Sequence, residues 1–404
     1  MTRNHRPRPA RAAASRPGGE ARIRLRGPAD VIVALPYHLG YQPEESLVVV
    51  CLDGRQVNFV GRIDLPPHHV DPWLAVDELM PPVLRESPQR ALLIAFECRQ
   101  GQSEPLSALV AGVLRDENIE VTDRLVVRDG RFWSKECTAT CCPPEGQPVP
   151  EHSQVPAVAD YVLLGRHPAP NRMALDGQLH PDPGTAALLP AGLELARRHE
   201  GASRGERSAL GIDRTAELQE LRRDALTAWA RLLDMGWSDD GAGGHPDRRP
   251  DRGLDRGLDE GAPGFSAETW VALAASLRDV HLRDLVIAWL CPGTLDLALL
   301  DPQLVDLALA ILPAPLPFDE VDALTWTNAH DELTERLMRL CRSSPLELSP
   351  APLTVLANHM WWRGDGALTR IALERALVID PDYRLARLLE RMVDLSIRPR
   401  GRVA

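Results

Sequence analysis

The stretch from Ser46 to Ile63, SLVVVCLDGRQVNFVGRI, constrains the fold more than any other. Two runs rich in β-branched residues flank Asp53-Gly54, a pair that tolerates the positive φ a two-residue hairpin turn demands. With that pair as the loop, Leu52 is expected opposite Arg55, Glu45 opposite Arg62 and Pro43 opposite Asp64. A second hairpin, DRLVVRDGRFWS, is expected to turn at Asp129-Gly130. Between the two lie an interrupted helical segment, VDPWLAVDELMPPVLRES, then the apolar strand RALLIAFE and a helix around Ser103 to Asp116. Upstream, ARIRLR alternates as a strand does, and ADVIVAL reads as a short helix that stops or kinks before Pro36, because the residue preceding proline avoids the helical region. Strands interleaved with helices describe an α/β (or α+β) domain on a mixed sheet, placed at residues 20–200.

From about Asp213 the period changes. DRTAELQELRRDALTAWARLLDMG, SAETWVALAASLRDVHLRDLVIAWL, TLDLALLDPQLVDLALAIL and DEVDALTWTNAHDELTERLMRLC show helical spacing between Gly and Pro breaks. An all-α domain is expected over 205–404. Its insert at 238–264 repeats Arg-Gly-Leu-Asp, lacks an apolar core and reads as disordered. The 34 residues from Pro350 to Tyr383 place Ala357, Gly364, Ala376 and Pro381 where a tetratricopeptide-like unit wants small residues, a turn glycine and a terminal proline. Asp380-Pro381 is expected to cap and start the next helix. Trp326, Trp361 and Trp362 read as packing between helices, and His281, His330 and His359 as single residues without a role.

Charge narrows the function. The formal net charge is −11, of which residues 1–19 contribute +5 through five arginines, leaving −16 on the rest. An acidic body repels phosphate backbones, so nucleic acid is not the expected partner, and the basic leader reads as a disordered, solvated tail. Lys135 is the only lysine, so no Walker A loop can be written. No run of about eighteen apolar residues suggests a membrane span, and the arginine-rich start is not a signal peptide, which points to the cytoplasm. No H-E-x-x-H or strand-linked G-x-G-x-x-G occurs, so neither a zincin helix nor a Rossmann fingerprint is specified.

Two constellations remain. The hairpin register, and a parallel crossover from the second strand to RALLIAFE, bring Glu44, Glu45, Arg62, Asp64 and Glu97 to one edge of the sheet. Carboxylates and an arginine at strand ends suit a polar ligand or divalent cation, whereas the structural alternative is a cross-strand Glu45–Arg62 ion pair beside a turn capped by Gly40. Ser46 has no base placed to make it a nucleophile. The second constellation is CTATCCPPEG, which sets Cys137, Cys141 and Cys142 within six residues. These thiols suit zinc, with His152 or Cys98 as a fourth ligand, although the spacing is not that of a known finger or ribbon; the structural alternative is a cysteine-containing turn.

LPYHLGYQPEESLVVV, GRIDLP, CCPPEG, LLGRHPAPNRMAL and GDGALTRIALERALVIDPDYRLARLL, in this order, resemble the successive motifs of the actinobacterial domain-of-unknown-function family 4192. The resemblance spans nearly the whole chain and implies no activity or catalytic residues. The functional expectation is a non-catalytic regulatory or adaptor protein that binds a protein partner through its helical domain. The alternative is an enzyme or a ligand or metal sensor using the acidic-arginine edge or the cysteine loop.

Overall fold

The computed structural model describes residues 24–54, 56–137, 142–163, 166–203, 215–234, 265–314, 323–395, 397 and 399. The basic leader and the 238–264 insert lie outside these. The first elements are α1 (Pro28–Leu39), β1 (Ser46–Asp53), β2 (Gln56–Asp64), α2 (Trp73–Arg85), β3 (Arg90–Phe96), α3 (Glu104–Asp116), β4 (Glu120–Arg128), β5 (Arg131–Ser134) and β6 (Gln147–Pro148). They form a mixed six-stranded sheet in the order β2-β1-β3-β4-β5-β6, in which only β3 and β4 are parallel neighbours. The N-terminal region is therefore a mixed sheet with helices, as the alternating pattern indicates.

Some local expectations fail in this region, each for a physical reason. Of the expected strand ARIRLR, residues 21–23 lie outside the described residues and Arg24 to Arg26 carry no strand; Leu25 packs instead against the cluster of Val33, Ala34, Tyr37 and Tyr161. Helix α1 runs through Pro36 to Leu39, because a proline costs one backbone bond while Leu35, Tyr37 and Leu39 are all buried on the continued helix; Gly40, at φ 80°, ends it. The first hairpin is also shifted. Asp53 faces Gln56, and an irregularity between Cys51 and Leu52 then sets Cys51 opposite Phe59, so Val48 faces Arg62 and Ser46 faces Asp64. The turn itself already sets the register off from the expected one, and Asn58, the extra residue of a bulge, shifts it further; together they move Glu45 away from Arg62. The second hairpin turns at Asp129-Gly130 as expected, with φ 50° and 69° and Arg128 opposite Arg131.

Alternation divides the sheet between two cores. Leu47, Val49 and Cys51 of β1 pack with Val76, Leu79 and Val83 of α2 and Leu106, Val110 and Leu114 of α3. Val48 and Val50 face the other way, with Leu92, Ile94 and Phe96 of β3 and Ile32 and Leu35 of α1. That second cluster continues without a break into the helices that follow.

Those helices are α4 (Pro156–Leu163), α5 (Arg172–Gly177), α6 (Leu189–Ser203), α7 (Thr215–Leu233), α8 (Ala267–Ser276), α9 (Val280–Leu290), α10 (Pro302–Ile311), α11 (Ala323–Arg342), α12 (Pro350–Arg363), α13 (Gly366–Ile379) and α14 (Arg384–Asp394). Asp279, Asp301 and Asp365 accept the first free N–H groups of α9, α10 and α13 as N-caps. Gly364, at φ 81°, ends α12 and lets α13 fold back on it, with Ala357 and Ala376 fully buried. Asp380 and Pro381 do not start α14. The Asp380 carboxylate accepts the Asp382 N–H at 3.1 Å and is used in a turn, so the helix begins at Arg384. Among the described residues no helix is long and apolar enough to cross a membrane.

Candidate functional site

Antiparallel β1 lies between β2 and β3, so the C-terminal ends of β2, β3 and β4 and the start of β1 share one edge of the sheet. A cleft of about 320 Å³ opens there, bounded on one side by Ile32, Val33 and Pro36 of α1 and floored by Phe96 and Val127. Its polar rim comes from the segment before β1 (Gln42, Glu44, Glu45), the end of β3 (Glu97, Cys98), the β4–β5 turn (Arg128, Asp129) and His152. Open α/β sheets present ligand sites at this edge because loops leave the strands there while the strands hold them rigidly.

Glu97 sits at the back of the rim with its side chain 1% exposed. One carboxylate oxygen accepts the Ser103 N–H at 2.9 Å and its hydroxyl at 2.6 Å; the other accepts the Gly101 N–H at 3.1 Å and an Arg128 N–H at 2.9 Å. Four bonds saturate the group. Glu97 therefore clamps the loop entering α3, and its charge is balanced by Arg128, whose guanidinium also stacks 4.9 Å from the Trp133 ring.

Glu45 is placed differently. Its φ of 38° lies in the left-handed region, a costly conformation for a residue with a side chain. Its carbonyl accepts the Leu65 N–H at 2.7 Å, and its carboxylate accepts the Gln102 amide at 2.7 Å. The other end of Gln102 accepts the backbone N–H groups of Cys98 and Arg99 at 3.2 and 3.3 Å. The rim on both sides of the cleft is thus fixed by the loop preceding α3.

Arg62 and Asp64 stand outside the cleft. The expected Glu45–Arg62 pair is absent, because the turn and the bulge together move the register: Arg62 bonds Asp64 at 2.5 Å and the Glu44 carbonyl at 3.4 Å, with its guanidinium 5.9 Å from the Tyr41 ring. Burial pushes the Tyr41 phenol up, against the pull of Arg62 and Arg172. Glu44, Glu45 and Glu97 are the expected residues that the cleft unites. Arg128 and Gln102 were missed, since pairing β3 with β4 cannot be read from local pattern. The residues before the Asp129-Gly130 turn and at the start of α3 were the available signals.

Of the cysteine constellation, Cys137 and Cys142 are described. Cys142 lines a separate hollow with Phe132 and Trp133, the Cys137 N–H donates to Ser134 Oγ at 2.9 Å, and Cys141 lies outside the described residues. His152 and Cys98, the expected fourth ligands, line the sheet-edge cleft instead, with His152 Nδ1 2.8 Å from the Tyr37 hydroxyl. Among the described residues no group of three or more His, Cys, Asp and Glu side chains is disposed to hold a metal ion. The other cysteines are buried, and burial pushes the Cys51 and Cys341 thiols up to about 12 and raises Cys291 as well, which suits packing rather than nucleophilic chemistry.

In the helical half, Trp362 is buried and donates to the Pro292 carbonyl at 3.2 Å, and Trp361 donates to that of Ile397 at 3.0 Å. Both therefore pack between elements; the Trp326 side chain lies outside the described residues. His330 and His359 do not stand singly. Their rings stack 5.4 Å apart on α11 and α12, beside Trp362.

A family model described as Domain of unknown function (DUF4192) matches residues 28–300 and 294–400. No curated protein and no solved structure matches the chain.

Proposed function

The chain belongs to the DUF4192 family, and we propose that it is a non-catalytic regulatory protein whose sheet-edge cleft binds a small organic cation with an apolar body. The cleft carries this reading. Its floor and α1 wall are apolar, its rim holds Glu44, Glu45 and Asp129, and the one guanidinium among its described residues, Arg128, is already bound to Glu97 at 2.9 Å and lies 3.7 Å from Asp129. A volume of about 320 Å³ suits a compact ligand, at the lower end of small-molecule sites. An ammonium or guanidinium at the rim gains charge-assisted bonds while its hydrocarbon part leaves water against Phe96 and Val127.

Benzylammonium, agmatine and benzoate are suitable probes in thermal denaturation and titration calorimetry. The two cations are expected to raise the melting temperature and benzoate to leave it unchanged, with the response lost in Glu44→Gln/Glu45→Gln. Equal effects of benzoate and benzylammonium, or none from either cation, overturn the reading.

A second reading concerns the helical half as a docking surface for a protein partner in the cytoplasm. It is supported by the tetratricopeptide-like spacing of the α12–α13 pair and by Val378 and Leu388, which are 82% and 57% exposed. Cross-linking of a partner to the full chain, abolished by Val378→Glu/Leu388→Glu with folding intact, is the expected result; cross-linking indifferent to those changes counts against it.

A further inference from the structure

We infer that the segment Gly40–Ser46 is a strap that couples the cleft to the helical half, so that each regulates the other; the inference rests on the cleft being the binding site proposed above. At one end the strap is tied to the segment leading into α5. Tyr41, 3% exposed, bridges in parallel to Ala169: the Ala169 N–H donates to the Gly40 carbonyl at 2.8 Å, and the Gln42 N–H to the Ala169 carbonyl at 3.0 Å. Two residues on, Asn171 caps α5 through the Ala174 N–H at 2.8 Å. Helix α5 is in turn pinned to α13 by Arg172–Glu374 at 2.6 Å and by Asp176–Arg375 at 3.5 Å.

At the other end Gln42, Glu44 and Glu45 are cleft wall. The residue that closes the strap is the strained one. Glu45 keeps its φ of 38° only while Leu65 holds its carbonyl, Gln102 holds its carboxylate and Arg62 holds the preceding carbonyl of Glu44. Relaxation of Glu45 to an extended conformation reorients the Glu44–Glu45 peptide, which breaks these bonds together and draws on Tyr41 four residues earlier. On this inference the relaxed form is the second of the two arrangements that a coupling element requires. A cation that bonds Glu45 competes with Gln102 and biases the choice. Because coupling between two sites is reciprocal, loosening α5 from α13 must also change the cleft.

The full-length chain tests both directions without any ligand. Glu45→Ala keeps the left-handed strain and removes the Gln102 bond, so the relaxed arrangement is favoured. In hydrogen exchange read by mass spectrometry, it is expected to raise exchange severalfold in residues 166–179 and in α13, whereas Glu78→Gln on the exposed face of α2 leaves both unchanged. In the reverse direction, Arg172→Ala is expected to change the alkylation rate of the exposed Cys98 thiol by threefold or more, followed on its own peptide, while Arg387→Ala does not. Exchange changes confined to residues 40–48 and 97–103, or an unaltered Cys98 rate in Arg172→Ala, overturn the strap. Neither arm depends on cation binding, so a failure of the strap and a failure of the cation titrations are read separately.

Discussion

Glu97 and Arg128 meet at 2.9 Å across the ends of the parallel strands β3 and β4, with only 1% and 16% of their side chains exposed. The pair is worth little to stability as an isolated attraction, because two charges have left water to make it. Its weight lies in what each partner leaves behind. Glu97→Ala strands the Arg128 charge and frees the Gly101 and Ser103 donors, so a loss of about 3–5 kcal/mol is expected. Glu97→Gln keeps the shape and some of the bonds, and is expected to lose about half as much. Urea denaturation of the two variants checks the order, and equal losses argue that the carboxylate charge is irrelevant.

Arg222 on α7 is the corresponding tie in the helical half. Its side chain is 2% exposed and bonds Asp279, the N-cap of α9, and Asp301, the N-cap of α10, each at 2.8 Å. One guanidinium thus fixes where two helices begin. Arg222→Met keeps the packing volume but leaves the fully buried Asp279 carboxylate unpaired, at an expected cost of about 3–5 kcal/mol. Adding Asp279→Asn removes the orphaned charge and retains a capping oxygen. The double variant is expected to recover about 1–2 kcal/mol in the same denaturation assay.

The order of strands and helices was legible because it rests on local period and turn chemistry, as Asp129-Gly130 shows. That Glu97 reaches the same sheet edge as Glu45 was also legible, since a crossover that returns a strand parallel brings its end to the same edge. The bulge at Asn58 was not. It is decided by how Phe59 and Val60 find opposite cores, and that information belongs to two layers of packing rather than to the hairpin sequence. Arg128 was invisible for a similar reason: its partner is set by the β3–β4 pairing, thirty-one residues apart. The His330–His359 stack depends on how α11 crosses α12, which no single helical pattern encodes.

Gly146 offers a clean separation of steric from conformational cost. Its φ is 76°, and a Cβ added there would lie 2.5 Å from the Trp133 ring. Gly130 has a similar φ of 69° and open space around it. Alanine at Gly130 is expected to cost about 1 kcal/mol, the price of the left-handed backbone. At Gly146 it must also move Trp133, which breaks the indole bond to the Pro144 carbonyl at 3.0 Å and disturbs the Arg128 stack, so about 2–3 kcal/mol is expected. A change in tryptophan fluorescence should accompany the second substitution alone.

The buried imidazoles set the acid limit of the fold. Burial holds His330 down at about 3, with Arg363 adding to the effect, and His199 down at about 4, both from an ordinary 6.5; His359 lies well below it too. Each stays neutral in the native state while the unfolded chain protonates it below pH 6.5. The unfolded state then binds more protons, so stability is full above pH 6.5 and falls as the pH drops toward the native values near 4 and 3. At pH 5, about 1.5 units below the unfolded value, His199 and His330 are each expected to remove about 2 kcal/mol. Urea midpoints between pH 7.5 and 4.5 measure the slope. His330→Asn/His359→Asn lowers stability at neutral pH by disrupting the stack with Trp362, yet it should flatten the decline below pH 6.5; a slope identical to that of the parent would show that these two residues do not carry it.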